Sequence, residues 1–81
     1  MTPSELIQKI ESVDPGNDND FREIISGVLS MGFVNERDLA HEFSVSRPMV
    51  ERWKNGQNAP HPKIRVPIYK YLFKVLERRR W

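Results

Sequence analysis

Apolar residues recur along the 81-residue chain at the three- and four-residue spacing of amphipathic helices, and nowhere with the strict alternation of a strand. Leu6, Ile7, Ile10 and Val13 form a short stripe behind Thr2-Pro3-Ser4-Glu5, a capping box with proline at the first helical position. A first helix of about ten residues is predicted there. Phe21, Ile24, Ile25, Val28 and Leu29 make a longer stripe, and Gly32 is placed to end it. Asn35 with Asp38 makes a cap for a short third helix that turns Leu39, Ala40 and Phe43 inward. Ser46 caps a fourth, which Asn55-Gly56 stops. Residues 57–62 read as a loop, and a last helix opens at Pro62 or Pro67 and runs to about residue 80, with Pro67 either kinking it or starting it late. The expectation is an all-α fold: one domain over residues 1–81, a compact bundle of about five helices.

Length and composition narrow the chemistry. A chain this short buries a modest fraction of its surface, so its core is small and a second subunit would add stability. The absence of cysteine excludes disulfides, thiolate metal sites and a cysteine nucleophile. His41 and His61 have no companion ligands at metal spacing, and the sequence places no Ser-His-Asp set or carboxylate pair together. Neither a metal, a cofactor nor an enzymatic activity is expected. The turn formers from Asp14 to Asn19 fail as a calcium loop, because Asn19 stands where the sharp-turn glycine belongs and Ile25 where the closing glutamate does. They read instead as a loop that caps the second helix. No apolar run is long enough to span a bilayer, and the N-terminus lacks a signal-peptide pattern, so the expected location is cytoplasmic.

Charge changes the picture more. The net charge is +2, yet residues 1–42 carry three basic residues against nine acidic, a net of −6, and residues 43–81 carry ten against two, a net of +8. Such asymmetry suggests a basic face for a polyanion and an acidic face turned away from it. From charge alone, a generic solvated surface accounts for it equally well.

Two short helices separated by a tight turn, at about residues 35–55, outline a helix-turn-helix. Leu39, Ala40, Phe43, Val45, Val50 and Trp53 are the apolar positions that lock such a pair at a fixed angle, Ala40 being small enough for close approach. The spacing of Trp53 from Val50 assigns its indole to the core rather than to base stacking. Residues 36–60 resemble the phage lambda repressor and Cro-like family. The matching features are Leu39-Ala40 in the first helix, Val45-Ser46 at the turn, the apolar Val50, the aromatic Trp53, and Asn55-Gly56 followed after three residues by Pro60. The likeness covers about a third of the chain. It implies a small transcriptional regulator of bacterial or phage origin that binds double-stranded DNA and represses by steric blocking.

What remains outward on the fourth helix is Arg47, Pro48, Glu51, Arg52 and Asn55, in two rows along one face. Arg47 and Arg52 are the candidate base readers, since a guanidinium donates two parallel hydrogen bonds to O6 and N7 of guanine. Pro48 and Met49 offer apolar edges to a thymine methyl, although Met49 fits the rim of the core equally well. Candidates for the phosphate backbone are Asn35, Glu36, Ser46, Lys54, Asn55, Gln57, Asn58, Lys63 and Arg65. Asn35 stands at a helix N-terminus, with its free amides and positive dipole end. Glu36 departs from the family, where glutamine is common. A carboxylate repels phosphate, so Glu36 is expected to hold Arg47 in position or to read a cytosine amine.

On the last helix, Ile64, Ile68, Tyr69, Tyr71, Leu72, Phe73, Val75 and Leu76 span an arc of about 200°, wider than a surface helix needs to face its core. Two readings cover the excess. One is a homodimer through this helix with Tyr69, Phe73 and Trp81 as contacts, which implies a palindromic operator read about 34 Å apart. The other is packing of Tyr69 or Phe73 against the extra first helix. The ending Arg78-Arg79-Arg80-Trp81 reads equally as a DNA-contacting arm and as a complement to the helix dipole. A protein-binding module, antitoxin-like or an adaptor, that holds a partner with its apolar last helix is the alternative function.

Overall fold

The computed structural model describes residues 2–78 and contains five α-helices: α1 (Pro3–Glu11), α2 (Asp18–Met31), α3 (Glu36–Glu42), α4 (Arg47–Asn55) and α5 (Pro62–Arg78). No strand occurs among the described residues, so the fold is all-α. The first four helices each start where a short polar side chain takes up an amide that the helix leaves free. Thr2 Oγ1 accepts from the Glu5 amide at 3.2 Å, Asn17 Oδ1 from the Asp20 amide at 3.0 Å, and Ser46 Oγ from the Met49 amide at 3.2 Å. At α3 the exchange is reciprocal: the Asp38 amide donates to Asn35 Oδ1 at 2.8 Å, and the Asn35 amide to Asp38 Oδ2 at 3.3 Å. The last helix opens at Pro62, and Pro67 lies inside it. At its start the Lys63 amide donates to His61 Nδ1 at 3.1 Å, which gives His61 a capping task the sequence did not suggest. Pro67 and Lys63 are both exposed, and the carbonyl that Pro67 deprives of an amide donor is that of Lys63.

Residues 43–46 connect α3 to α4. The Val45 amide donates to the Ala40 carbonyl at 2.9 Å and the Ser44 amide to the His41 carbonyl at 3.4 Å. These two bonds close a helix when the residue beyond its C-cap turns left-handed, a position that glycine usually fills. Here it is Ser44, at φ 54°. Gly32 and Gly56, which end α2 and α4, adopt the same region at φ 78° without a Cβ to strain.

The helices α2 and α3 both pack on α4, and α1 packs on α2 and α5. Phe21, fully buried, joins three of them. Its ring meets Trp53 edge-on at 5.7 Å and tilts against Tyr69 at 6.0 Å, tying α2 to α4 and α5. Leu39, Ala40, Val50 and Trp53 close the corner between α3 and α4, with Trp53 3% exposed. The indole therefore belongs to the core, as its spacing predicts. Phe43, half-buried, meets Tyr71 of α5 at right angles at 5.6 Å.

Much of the wide apolar arc of α5 is used inside the molecule. Ile68, Tyr69, Leu72 and Leu76 are buried in the same core as Leu6, Ile7 and Ile10 of α1. Tyr69, for which spacing left open a contact between two copies or packing on the first helix, is enclosed within one copy in the same core as α1 and against Phe21. Phe73 is half-buried against the core, and Trp81, with Arg79 and Arg80, lies outside the described residues. Ile64 and Val66 are the large apolar side chains left exposed among the described residues. No helix among those residues is long and apolar enough to cross a membrane.

Candidate nucleic-acid interface

Val50 and Trp53 fix the inner side of α4, and its outer side presents Arg47, Pro48, Glu51, Arg52 and Asn55, all exposed. Neither Arg47 nor Arg52 takes part in an ion pair among the described residues. Both guanidinium groups keep their donors for an external acceptor. Pro48 occupies the second position of the helix, where a missing amide hydrogen costs nothing. Met49 is half-buried, packed against the core, and its Sδ accepts from Asn58 Nδ2 at 3.2 Å. It sits at the rim of the corner rather than on the free face.

Beside the start of α4, a shallow concavity of about 280 Å³ is lined by Asn35, Glu36, Arg37 and Arg47. It brings the N-terminal ends of α3 and α4 together. Asn35 spends its carbonyl oxygen on the Asp38 amide and retains its amide hydrogens, while Ser46 spends a lone pair on Met49 and retains its hydroxyl hydrogen. Arg37, exposed in the first turn of α3, joins this group, although the sequence did not single it out. Its signal was there in the chain: it stands two residues beyond the cap at Asn35.

Glu36 departs from its expected role. Its carboxylate pairs with Lys54 Nζ at 3.4 Å and makes no ion pair with Arg47 among the described residues. The lysine reaches across from the last turn of α4 to the first turn of α3, so the pair braces the corner. Lys54, expected at phosphate, has its charge already balanced and is the weaker ligand for it.

Beyond α4, Asn55, Gln57 and Lys63 are exposed. Asn58 is exposed too, but both ends of its amide are engaged, the oxygen by the Ala59 amide at 2.8 Å and the nitrogen by Met49. That side chain shapes the loop instead of waiting for phosphate. Arg65 is a clear correction. It is 3% exposed, and its Nε donates to the Pro60 carbonyl at 2.8 Å, one terminal nitrogen to the Pro15 carbonyl at 2.8 Å, and the other to Asp18 Oδ1 at 2.6 Å. Its guanidinium lies 5.4 Å from the centre of the Phe21 ring. Arg65 ties two loops to the core and offers no donor to DNA.

A further arginine, in the acidic half of the sequence, reaches this end of α4. A Cβ built on Gly56 would stand 2.6 Å from Arg22 Cδ, so the side chain lies directly across the end of the helix, and its terminal nitrogen donates to Asn19 Oδ1 at 2.8 Å. The contact crosses 34 residues of sequence between positions 22 and 56, and no local pattern announces it.

The described surface is therefore a helix face with two guanidinium groups unpaired among the described residues, flanked by amide and hydroxyl donors at one end and, at the other, by Asn55 in the last turn with Gln57 and Arg22 beyond it. Such a surface holds planar hydrogen-bond donors outward. Among the described residues, no three His, Cys, Asp or Glu side chains gather to hold a metal ion. Comparison of the chain with protein-family models, with curated proteins and with solved structures finds no match.

Proposed function

We propose that this chain binds double-stranded DNA sequence-specifically, with α4 seated in the major groove, and acts as a small transcriptional repressor by covering its site. The observation that supports this most is the combination of two exposed arginines, unpaired among the described residues, on one face of α4 with a buried Val50 and Trp53 on the other. Base reading needs donors held at fixed positions, and a helix locked from inside holds them. In this reading Arg47 and Arg52 take guanine edges, and Pro48 offers its ring to a thymine methyl. Asn35, Arg37 and Ser46 meet phosphates at one end of α4, and Arg22, Asn55, Gln57 and Lys63 meet them at the other. Glu36 serves through Lys54, by keeping α3 and α4 in register.

Selection of bound duplexes from a random pool tests it. The expected result is enrichment of a short motif containing guanine, with palindromy in the motif reporting whether two copies bind together. Arg47→Ala and Arg52→Ala should each cost about 1–3 kcal/mol on the selected site and relax base choice at one position. A pool that shows no enrichment, or two variants that retain the full base preference, contradicts the assignment.

A further inference from the structure

A second concave surface takes no residue from α3 or α4. Between α1 and α5 runs a groove of about 400 Å³, with Ile10 and Val13 on one side, Tyr69 and Phe73 on the other, and Lys70 and Lys74 at its edge. Its volume falls in the range of about 300–1,000 Å³ typical of small-molecule sites, and its walls are mainly apolar with a few convergent polar groups. On α5 the row Tyr69 and Phe73 lies next to the row Lys70 and Lys74. The first, buried at Tyr69 and half-buried at Phe73, forms the floor, and the second, exposed, the rim. Neither lysine forms an ion pair among the described residues, in contrast to Lys9, which pairs with Glu23 and Asp20, and Lys54, which pairs with Glu36.

An independent observation points to the same place. Tyr69 is 5% exposed, and its hydroxyl is buried with no hydrogen-bond partner among the described residues. A buried donor left without an acceptor is a standing cost to the free protein, and one that a ligand acceptor would relieve. Burial, opposed in part by Arg65 and reinforced by Asp20, Asp14 and Asp18, pushes the pKa of this hydroxyl up to about 12, so it remains a neutral donor. Tyr69 and Lys70 both line the groove, together with Val66 and Pro15, and helical side chains lean towards the N-terminus of their helix. Three carboxylates act on this hydroxyl: Asp18 is paired with Arg65 and Asp20 with Lys9, while Asp14 accepts from the Gly16 amide.

We infer that this groove binds a small amphiphile with an apolar body and a single carboxylate, of the class of a medium-chain fatty acid. The chain of the ligand covers Ile10, Val13 and Phe73, and its carboxylate accepts from Tyr69 and neutralises Lys70 and Lys74. A second copy of this protein fits the groove less well, because pairing two such faces would bring two sets of unpaired lysines together.

Titration calorimetry of the full chain with decanoate below its micelle concentration, in the absence of DNA, tests the inference. Saturable one-to-one binding is expected, with none for the cationic decyltrimethylammonium. Lys70→Glu with Lys74→Glu should weaken decanoate about tenfold or more. Tyr69→Phe should weaken it several-fold while raising the melting temperature of the free protein, a combination that a purely structural tyrosine would not give. Equal binding of both amphiphiles, no saturable heat with decanoate, or an unchanged affinity in either folded variant overturns the site. So does a dimer in sedimentation velocity that excludes decanoate, since a second copy would then occupy the groove.

Discussion

Arg65 shows how one side chain can be misread from charge and read correctly from geometry. Its guanidinium spends its forked donors on two carbonyls and a carboxylate in separate segments of the chain. The carboxylate side chain of Asp18 is 77% exposed, so the ion pair itself contributes little, and the carbonyls of Pro15 and Pro60 are what the arginine chiefly secures. Arg65→Ala should cost about 2–4 kcal/mol in urea unfolding, with less than half recovered by Arg65→Lys, because an ammonium cannot reproduce the planar fork. Full rescue by lysine would show that charge alone matters there. Lys63→Ala, two residues away and exposed, should stay within about 0.5 kcal/mol. The sequence did contain the clue: Arg65 shares the helical row of Tyr69, Leu72 and Leu76, which are buried. Ser44 carries a different lesson, since nothing in its identity signals a left-handed backbone. Ser44→Gly should stabilise the protein by about 0.5–1 kcal/mol, read from the denaturation midpoint. A loss of stability would mean that the serine side chain compensates for the strain.

At the scale of elements, the chain was legible wherever the determinants are local. Thr2, Asn35 and Ser46 cap the helices they were expected to cap, and Gly32 and Gly56 close theirs, because a cap bonds to an amide three residues away. The start of α5 was ambiguous because both Pro62 and Pro67 satisfy the backbone rule for a first turn, and only the imidazole of His61 and the packing behind it distinguish them. Contacts between elements were less legible. The two helix-ending glycines illustrate this. Both are left-handed, yet a Cβ at Gly32 meets open space and one at Gly56 meets Arg22. Gly32→Ala should cost about 1–2 kcal/mol from backbone strain alone, and Gly56→Ala more. In an Arg22→Ala background the cost at Gly56 should fall to the value at Gly32, which a double-mutant cycle measures directly. Additive costs would show that Arg22 gives way freely.

For the whole molecule, the corner made by α3 and α4 joins the core to the surface that the proposed function requires. Its inner residues were largely readable from spacing: Leu39, Ala40, Val50 and Trp53 are buried, and Phe43 and Val45, assigned to the same side, are half-buried. Its outer residues were readable only in part. Arg47 and Arg52 stand free, whereas Lys54 and Glu36 satisfy one another and Asn58 folds back onto Met49. Which polar side chain is already engaged depends on neighbours brought in by folding, and sequence spacing does not report it. Arg22 was missed for the same reason, whereas Arg37 stood two residues beyond its helix cap and could have been found. The excess apolar surface of α5 likewise depended on tertiary placement, because spacing left Tyr69 open to a second copy or to α1, and it packs in one core with α1.

The most direct test of a DNA-reading α4 is fluorescence anisotropy with a selected duplex and a scrambled one, each titrated at several salt concentrations. The account predicts that log affinity for both falls linearly with log salt, by about 0.9 for each phosphate neutralised. The selected duplex should bind more tightly throughout, and Arg47→Ala with Arg52→Ala should erase that margin. A chain that binds neither duplex at low salt, or that keeps its preference after both arginines are gone, would contradict it.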